Sequence, residues 1–281
     1  MQPLAIRHLY MGWLLIGGLC SCEPPTPVTA PSVPTYKGSP EAKATTVAPV
    51  STTGAEEAFD LDYLMGKFDP AEHPDFIEIP ARYADRAGRY LRRDALDAFL
   101  AMREAAARDS ITLRIVSGAR NFATQKRIWE AKWTGERLAE GGENLARTTP
   151  DPTERARRIL RWSSMPGSSR HHWGTDIDIN DLENDYFERG EGLREYEWLV
   201  AHAGGFGFCQ PYTPKGGPGQ RAHGYNEEKW HWSYLPIAQP LTELAESQLR
   251  NDRIAGFKGA ETATAIDVKG KYVLGINTDC R

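Results

Sequence analysis

Cysteine is scarce in this chain, with four residues in 281, and two of these stand together at Cys20 and Cys22. So few thiols rule out a thiolate-rich metal cluster, and any zinc site must draw on imidazole and carboxylate. Excess positive charge is also missing. The formal net charge is -4, whereas a nucleic-acid binder normally shows a basic domain. No internal repeat, heptad pattern or Walker-type phosphate loop occurs, which excludes a solenoid, a coiled coil and a P-loop nucleotidase. Long apolar runs are lacking too. Met11 to Leu19 is too short for a membrane span, but it has the length of a secretion-signal core.

That short run, preceded by Arg7 and His8, ends in Leu19-Cys20-Ser21-Cys22. The pattern resembles a bacterial lipobox, in which the cysteine becomes the lipidated first residue. Residues 1–21 are therefore expected to be a lipoprotein signal peptide and Cys22 the lipidation site. Cys20 is the alternative, and an uncleaved anchor or plain secretion signal is the competing reading. Residues 22–57 are rich in Pro, Thr, Ala, Ser and Val with almost no aromatics. Such a stretch cannot bury a core and reads as an extended linker. These features place the chain in the cell envelope as an exported, membrane-anchored lipoprotein. Cys209 and Cys280 remain and are read as a disulfide pair, with two buried free thiols as the alternative.

Residues 58–245 carry the periodic segments and are expected to form one catalytic-size domain, with 246–281 as a C-terminal extension packed on it. Leu91, Ala95, Phe99 and Met102 share one face of a helix over Tyr90–Ala107. Ile111–Val116 reads as a strand, Thr124–Trp133 as a helix, and Asp151-Pro152-Thr153-Glu154 as a capped helix start running to about Trp162. The arginines of that helix (155, 157, 158 and 161) read as a solvated face. Thr175–Asn180 alternates as a strand with Asp176, Asp178 and Asn180 on one side. Leu193–Ala203 is helical and Trp230–Tyr234 a strand. Ala265–Val268 and Tyr272–Ile276 flank Lys269-Gly270-Lys271 as a hairpin. Helices and strands mix without regular alternation, so the class is α+β.

Two segments hold the chemistry: Ser168-Ser169-Arg170-His171-His172-Trp173-Gly174-Thr175-Asp176-Ile177-Asp178 and Glu228-Lys229-Trp230-His231. Two imidazoles and one carboxylate are what a catalytic zinc ion takes from a protein, leaving a fourth position open for water. A glutamate three residues before the last histidine would serve as the base on that water. The expected metal ligands are His171, Asp178 and His231, with Zn2+ as cofactor and Glu228 as base. His172 is an alternative to His171, and His223 borders the second segment. Trp173, Trp230 and Trp232 read as packing walls.

Together these motifs resemble the zinc D-alanyl-D-alanine carboxypeptidases of the VanY type, whose pattern is Ser-x-His-x-x-Gly-x-Ala-x-Asp followed by Glu-x-Trp-His. That family's upstream Ser-Gly-Tyr-Arg and later Gln look like Ser117-Gly118-Ala119-Arg120 and Gln125. The resemblance implies a small antiparallel sheet flanked by helices, as in the hedgehog signalling domain. It also implies that Arg120 holds substrate or steadies the oxyanion, and that Ser169, Gln125 and Ser117 bind substrate. Departures are Asp176 for alanine, Lys229 for proline and Ala119 for an aromatic residue. The implied activity is hydrolysis of peptidoglycan stem peptides as a D,D-carboxypeptidase. An L,D-carboxypeptidase, a cross-link endopeptidase and a non-catalytic cell-wall-binding module are the alternatives. The expected partners are the stem peptide and, through the lipid, a membrane. Nucleic acid is not one, and the chain is read as a monomer.

Overall fold

The computed structural model describes residues 59–216 and 221–281. The expected signal peptide, Cys22 and the linker lie outside these residues. Among the described residues no helix is long and apolar enough to cross a membrane.

The elements run α1 (Leu61–Leu64), β1 (Phe76–Glu78), β2 (Tyr90–Arg92), α2 (Arg93–Arg108), β3 (Ile115–Ser117), α3 (Phe122–Thr134), α4 (Leu145–Thr148) and α5 (Pro152–Ile159). They continue as β4 (Asp176–Ile179), α6 (Gly190–His202), β5 (Phe208–Cys209), β6 (His231–Tyr234), α7 (Leu235–Gln248) and α8 (Ala263–Ile266). The class is α+β, with helices around a four-stranded antiparallel sheet of order β3-β4-β6-β5. A separate β1-β2 ribbon precedes it.

Local chemistry accounts for the helix ends. The Asn121 carboxamide accepts the Thr124 N–H at 2.9 Å and starts α3, which stops at Gly135 in the left-handed region. The Asp151 carboxylate accepts the Glu154 N–H at 2.7 Å, with Pro152 in the first turn of α5. Helix α2 buries Ala95, Leu96, Phe99, Met102 and Ala106. Together with Leu199 of α6, these side chains cover Ile115, Ile177, Ile179 and Trp232 of the sheet.

Several expected elements differ. The helix predicted from Tyr90 begins only at Arg93, because residues 90–92 pair with β1. Asn180 leaves the strand at a φ of 63°, and its side chain instead accepts the Arg114 N–H at 2.7 Å. The arginines expected on one solvated face are not all free of partners, and Arg161 lies past the end of α5. Arg158 pairs with Glu143, Arg161 pairs with Glu140 at 3.2 Å, and Arg155 donates to the Thr149 carbonyl at 2.9 Å. They pin the segment before their own helix.

The C-terminal hairpin is not formed. Ala263–Ile266 is helical, Asp267 adopts a φ of 59°, and Lys269–Val273 makes a wide helical turn. The Asp267 carboxylate accepts the Gly270 N–H at 3.2 Å, which closes that turn. Both apolar runs then face one way, and Ile266, Val268, Val273 and Ile276 are buried with Trp129 and Leu241. A hairpin would expose alternate residues of each run. Helix α7 runs to Gln248, past residue 246, where the extension was expected to begin.

Cys209 and Cys280 form a disulfide with Cα atoms 5.7 Å apart, 71 residues apart in sequence. It fastens the C-terminus to edge strand β5. Closing a loop of this length removes about 4 kcal/mol of chain entropy from the unfolded state. Cys280→Ser is expected to lower unfolding free energy by about 2–4 kcal/mol in urea titration. A midpoint equal to that of the parent under oxidising conditions would show that the bond carries no stability.

Candidate metal centre

The polar face of the sheet builds the site. His171 stands in a single helical turn, Arg170–Trp173, that ends at Gly174 with a φ of 70°. A side chain at Gly174 would also meet the Phe76 ring, 2.3 Å from an added Cβ. The glycine therefore allows the chain to reverse into β4 with His171 folded back over the strand. Asp178 of β4 is the cross-strand neighbour of His231 in β6, so the register sets two of the three groups side by side. Ser117 of β3 flanks Asp178 on the other side, and the next carbonyl, that of Gly118, reaches His171.

The three side chains are buried, and one donor atom from each falls within 4.8 Å of the others. His171 Nε2 is 3.4 Å from Asp178 Oδ2, and His231 Nδ1 is 3.1 Å from Asp178 Oδ1. Three donors about 2.1 Å from one tetrahedral ion would lie about 3.4 Å from each other. The residues present therefore fit a zinc-sized cation. Each ring is also turned by its far nitrogen. The Gly118 carbonyl lies 2.8 Å from His171 Nδ1, which assigns the proton there and leaves Nε2 free to face the centre. Asp176 Oδ1 lies 2.9 Å from His231 Nε2, so Nδ1 faces the centre.

Asp176 is the residue whose role the sequence leaves open, and the structure sets it behind His231. It is fully buried. Besides His231 it accepts from Arg170 Nε at 3.2 Å, Thr175 Oγ1 at 2.6 Å and Ser233 Oγ at 3.0 Å. Arg170, itself 1% exposed, also donates to Ser233 Oγ at 2.9 Å and Thr242 Oγ1 at 3.0 Å. Burial pushes the Asp176 carboxyl up, but Arg170 and His231 outweigh it and keep the group ionised. A carboxylate behind a ligating histidine fixes its ring and strengthens it as a donor. Asp176→Asn is expected to weaken zinc binding about 10- to 100-fold, read by competition with a fluorescent chelator. An unchanged dissociation constant would remove Asp176 from this role.

The centre is rich in negative charge. Burial raises the Asp178 carboxyl, yet His171 and His231 hold it well below the usual range. Burial lowers His231, but Asp176, Asp178 and Glu228 outweigh that and drive it well above an ordinary imidazole. Burial also holds the His171 ring in its neutral form. Glu228, 7% exposed, places Oε2 3.3 Å from His231 Nδ1, and desolvation raises its carboxyl. The Glu228 backbone N–H donates to the Tyr212 carbonyl at 2.9 Å, and the Gln210 amide donates to the Glu228 carbonyl at 3.1 Å. Glu228 therefore stands on a fixed backbone just ahead of β6.

These groups open into a cleft of about 500 Å³ that His171, Asp178, Glu228, His231 and Arg120 all line. The Arg120 N–H donates to the His171 carbonyl at 3.0 Å, and its Nε has no partner inside the protein. His172, the alternative to His171, faces elsewhere. Its Nδ1 lies 2.6 Å from the Arg120 carbonyl and its Nε2 accepts the Gly167 N–H at 3.0 Å. Burial lowers its pKa to about 3, so it is a neutral strut under Arg120. His223 is exposed and does not line the cleft. Ser117, Gln125 and Ser169 do not line it either; they are buried behind its wall. The Gln125 amide donates to the Ser164 carbonyl at 2.8 Å and so supports a lining residue. Trp162 and Trp230 stack at 5.9 Å on the lining.

The family model for VanY, D-alanyl-D-alanine carboxypeptidase, matches residues 88–237, just over half of the chain. The chain belongs to the VanY family. A D-alanyl-D-alanine carboxypeptidase of Enterococcus faecalis (strain ATCC 700802 / V583) is 26% identical over 236 residues, covering 82% of this chain and 78% of that protein. The putative carboxypeptidase YodJ of Bacillus subtilis (strain 168) is 31% identical over 152 residues, covering 52% of this chain and 47% of that one. Among solved structures, a mutant of the vancomycin-resistance D,D-pentapeptidase VanY in complex with Zn(II) aligns at 21% identity with a TM-score of 0.44, covering 69% of this chain and 92% of that one. The LdcB LD-carboxypeptidase aligns at 20% identity with a TM-score of 0.43, covering 74% and 78%. The VanY match takes in Arg120, Lys132, His171, Asp176, Asp178, Glu228 and His231, and it ends before the disulfide-tied C-terminus.

Proposed function

We propose that this VanY-family chain is a zinc-dependent D-alanyl-D-alanine carboxypeptidase acting on peptidoglycan stem peptides. His171 Nε2, Asp178 and His231 Nδ1 hold the metal, and Glu228 is the general base. One observation carries the reading: three donor atoms within 4.8 Å share a cleft wall with the buried carboxylate of Glu228 and the guanidinium of Arg120. A binding module has no use for the carboxylate.

Zinc, when bound, supplies Lewis acidity that polarises a carbonyl and brings the pKa of water down to about 7. The chain's own residues do the rest. Glu228 accepts a proton from the water as its oxygen attacks the scissile carbonyl carbon. Desolvation, which raises this carboxyl, suits a group that must first take a proton and then give it back. The protonated Glu228 delivers that proton to the departing amide nitrogen as the C–N bond breaks. Water is thereby divided between the new acid and the free amine, and Glu228 ends as the carboxylate it began. The Arg120 guanidinium meets either the developing oxyanion or the peptide's terminal carboxylate, both of which suit its forked donors. The disulfide supports an oxidising compartment. Lipidation of Cys22 and anchoring in the cell envelope belong to the same proposal.

The test is to incubate the full-length, zinc-loaded protein with purified stem peptides and weigh the products. Loss of one alanine from a D-alanyl-D-alanine end is the expected result. Loss of a D-alanine linked to an L-centre would indicate an L,D-carboxypeptidase, and separated cross-links an endopeptidase. Unchanged peptides would leave a binding module.

A further inference from the structure

The cleft carries cationic charge that the reaction just described does not use. Lys132, in the last turn of α3, lines it together with Arg137. The side chain is half-buried, and among the described residues its only side-chain hydrogen bond runs to Ser163 Oγ at 2.7 Å. A lysine half-buried in a cleft favours an anionic partner. No carboxylate on this wall pairs with Lys132: Asp178 and Glu228 meet at His231, Glu140 pairs with Arg161, and the exposed Glu183, also on the lining, makes no ion pair with either cation. The Arg137 guanidinium makes no hydrogen bond or ion pair among the described residues. Burial, then the Arg137 and Arg120 charges, push Lys132 down to about 8 against the attraction of Glu228. Neither Lys132 nor Arg137 thus has a paired anion among the described residues, in a chain whose net charge is -4. The cleft also has the size of a site for a ligand larger than a terminal dipeptide.

We propose that Lys132, assisted by Arg137, is a specificity-determining residue that binds a side-chain carboxylate of the peptide, separate from the terminal carboxylate. The substrate class is then a peptide with a free acid on a residue upstream of the cleaved bond. The same peptide with that acid amidated is the poorer ligand. Ser163 holds the ammonium in place until the ligand arrives. This inference rests on the proposed peptidase reading for the direction of the peptide, but not for the existence of the subsite.

The experiment compares two synthetic peptides with identical D-alanyl-D-alanine ends, one with the upstream side-chain acid free and one with it amidated. Binding is followed by calorimetry on zinc-loaded full-length protein carrying Glu228→Gln as a common background that suppresses turnover, and cleavage is followed separately as kcat/KM with Glu228 present. The parent protein is expected to bind the acid form about tenfold more tightly, the worth of one charge-assisted contact. In Lys132→Gln, which keeps a donor for Ser163, the two forms are expected to bind within about twofold of each other. Lys132→Arg is expected to restore the preference, and Arg137→Gln to reduce it in part. Equal binding of both forms by the parent, or an undiminished preference in Lys132→Gln, would overturn the subsite. Because binding is read without turnover, a preference that vanishes in Lys132→Gln without any cleavage would uphold the subsite and sink the peptidase reading. Cleavage with no preference would do the reverse.

Discussion

Glu228→Gln is expected to lower kcat on D-alanyl-D-alanine-ended peptides by about 10³-fold or more, with zinc still bound at one ion per chain. The substitution keeps the size of the side chain and a hydrogen-bonding oxygen near His231, 3.3 Å from the present carboxylate. What it removes is the ability to take a proton from water and return it to the leaving amine. The amide removes one negative charge, but Asp178 and, behind His231, Asp176 keep the wall anionic. Metal affinity should therefore change far less than turnover. The two quantities are measured on one preparation, by steady-state kinetics and by elemental analysis. Turnover within about threefold of the parent would show that another group is the base.

His231→Ala is expected to have a comparable effect by a different route. It removes one of the three proposed ligands, and zinc content after dialysis should fall well below one per chain. The reason lies partly in what is left behind. Asp176 loses its 2.9 Å contact with the ring, Asp178 loses a neighbour at 3.1 Å, and both carboxylates remain buried. Some loss of folding stability is therefore expected as well, and circular dichroism distinguishes an unfolded chain from a folded one without metal. A folded variant that retains a full zinc ion would exclude His231 as a ligand. The two substitutions separate base from ligand: in one the metal stays and the chemistry goes, in the other both go.

Much of this centre can be read from the chain, because its chemistry is concentrated in two short segments. His171, Asp178, Glu228 and His231 are expected from residue type and spacing, and they line one cleft. Strand β4 and strand β6 are also expected, though not the register that sets Asp178 against His231. Asp176 was visible as a second carboxylate two residues from Asp178, on the same face of a strand. Its partner Arg170 gave no signal, since an arginine beside a histidine looks like any surface residue. Only the fold encloses it between Thr242 and Ser233. Lys132 was hidden for the same reason, being one polar position on an amphipathic helix. Ser117, Gln125 and Ser169 came from resemblance alone, and the backbone places them behind the wall.

The C-terminal runs differ from the expected hairpin because short β-branched stretches fit either a strand or a helix, and Lys269-Gly270-Lys271 looks like a turn. Contact with Trp129 and Leu241 decides between them, and local sequence cannot see that surface. The disulfide pairing was legible because only two cysteines remained once the N-terminal pair was assigned.

The central claim is that two imidazoles and one carboxylate at residues 171, 178 and 231 hold one divalent ion that peptide hydrolysis requires. The most direct measurement is a stepwise zinc titration of metal-stripped full-length protein, with release of terminal D-alanine followed at each addition. Release should begin from a background near zero, rise linearly and stop rising at one zinc per chain. Release that proceeds unchanged in the presence of a strong chelator, or that never appears with the metal fully restored, would contradict it.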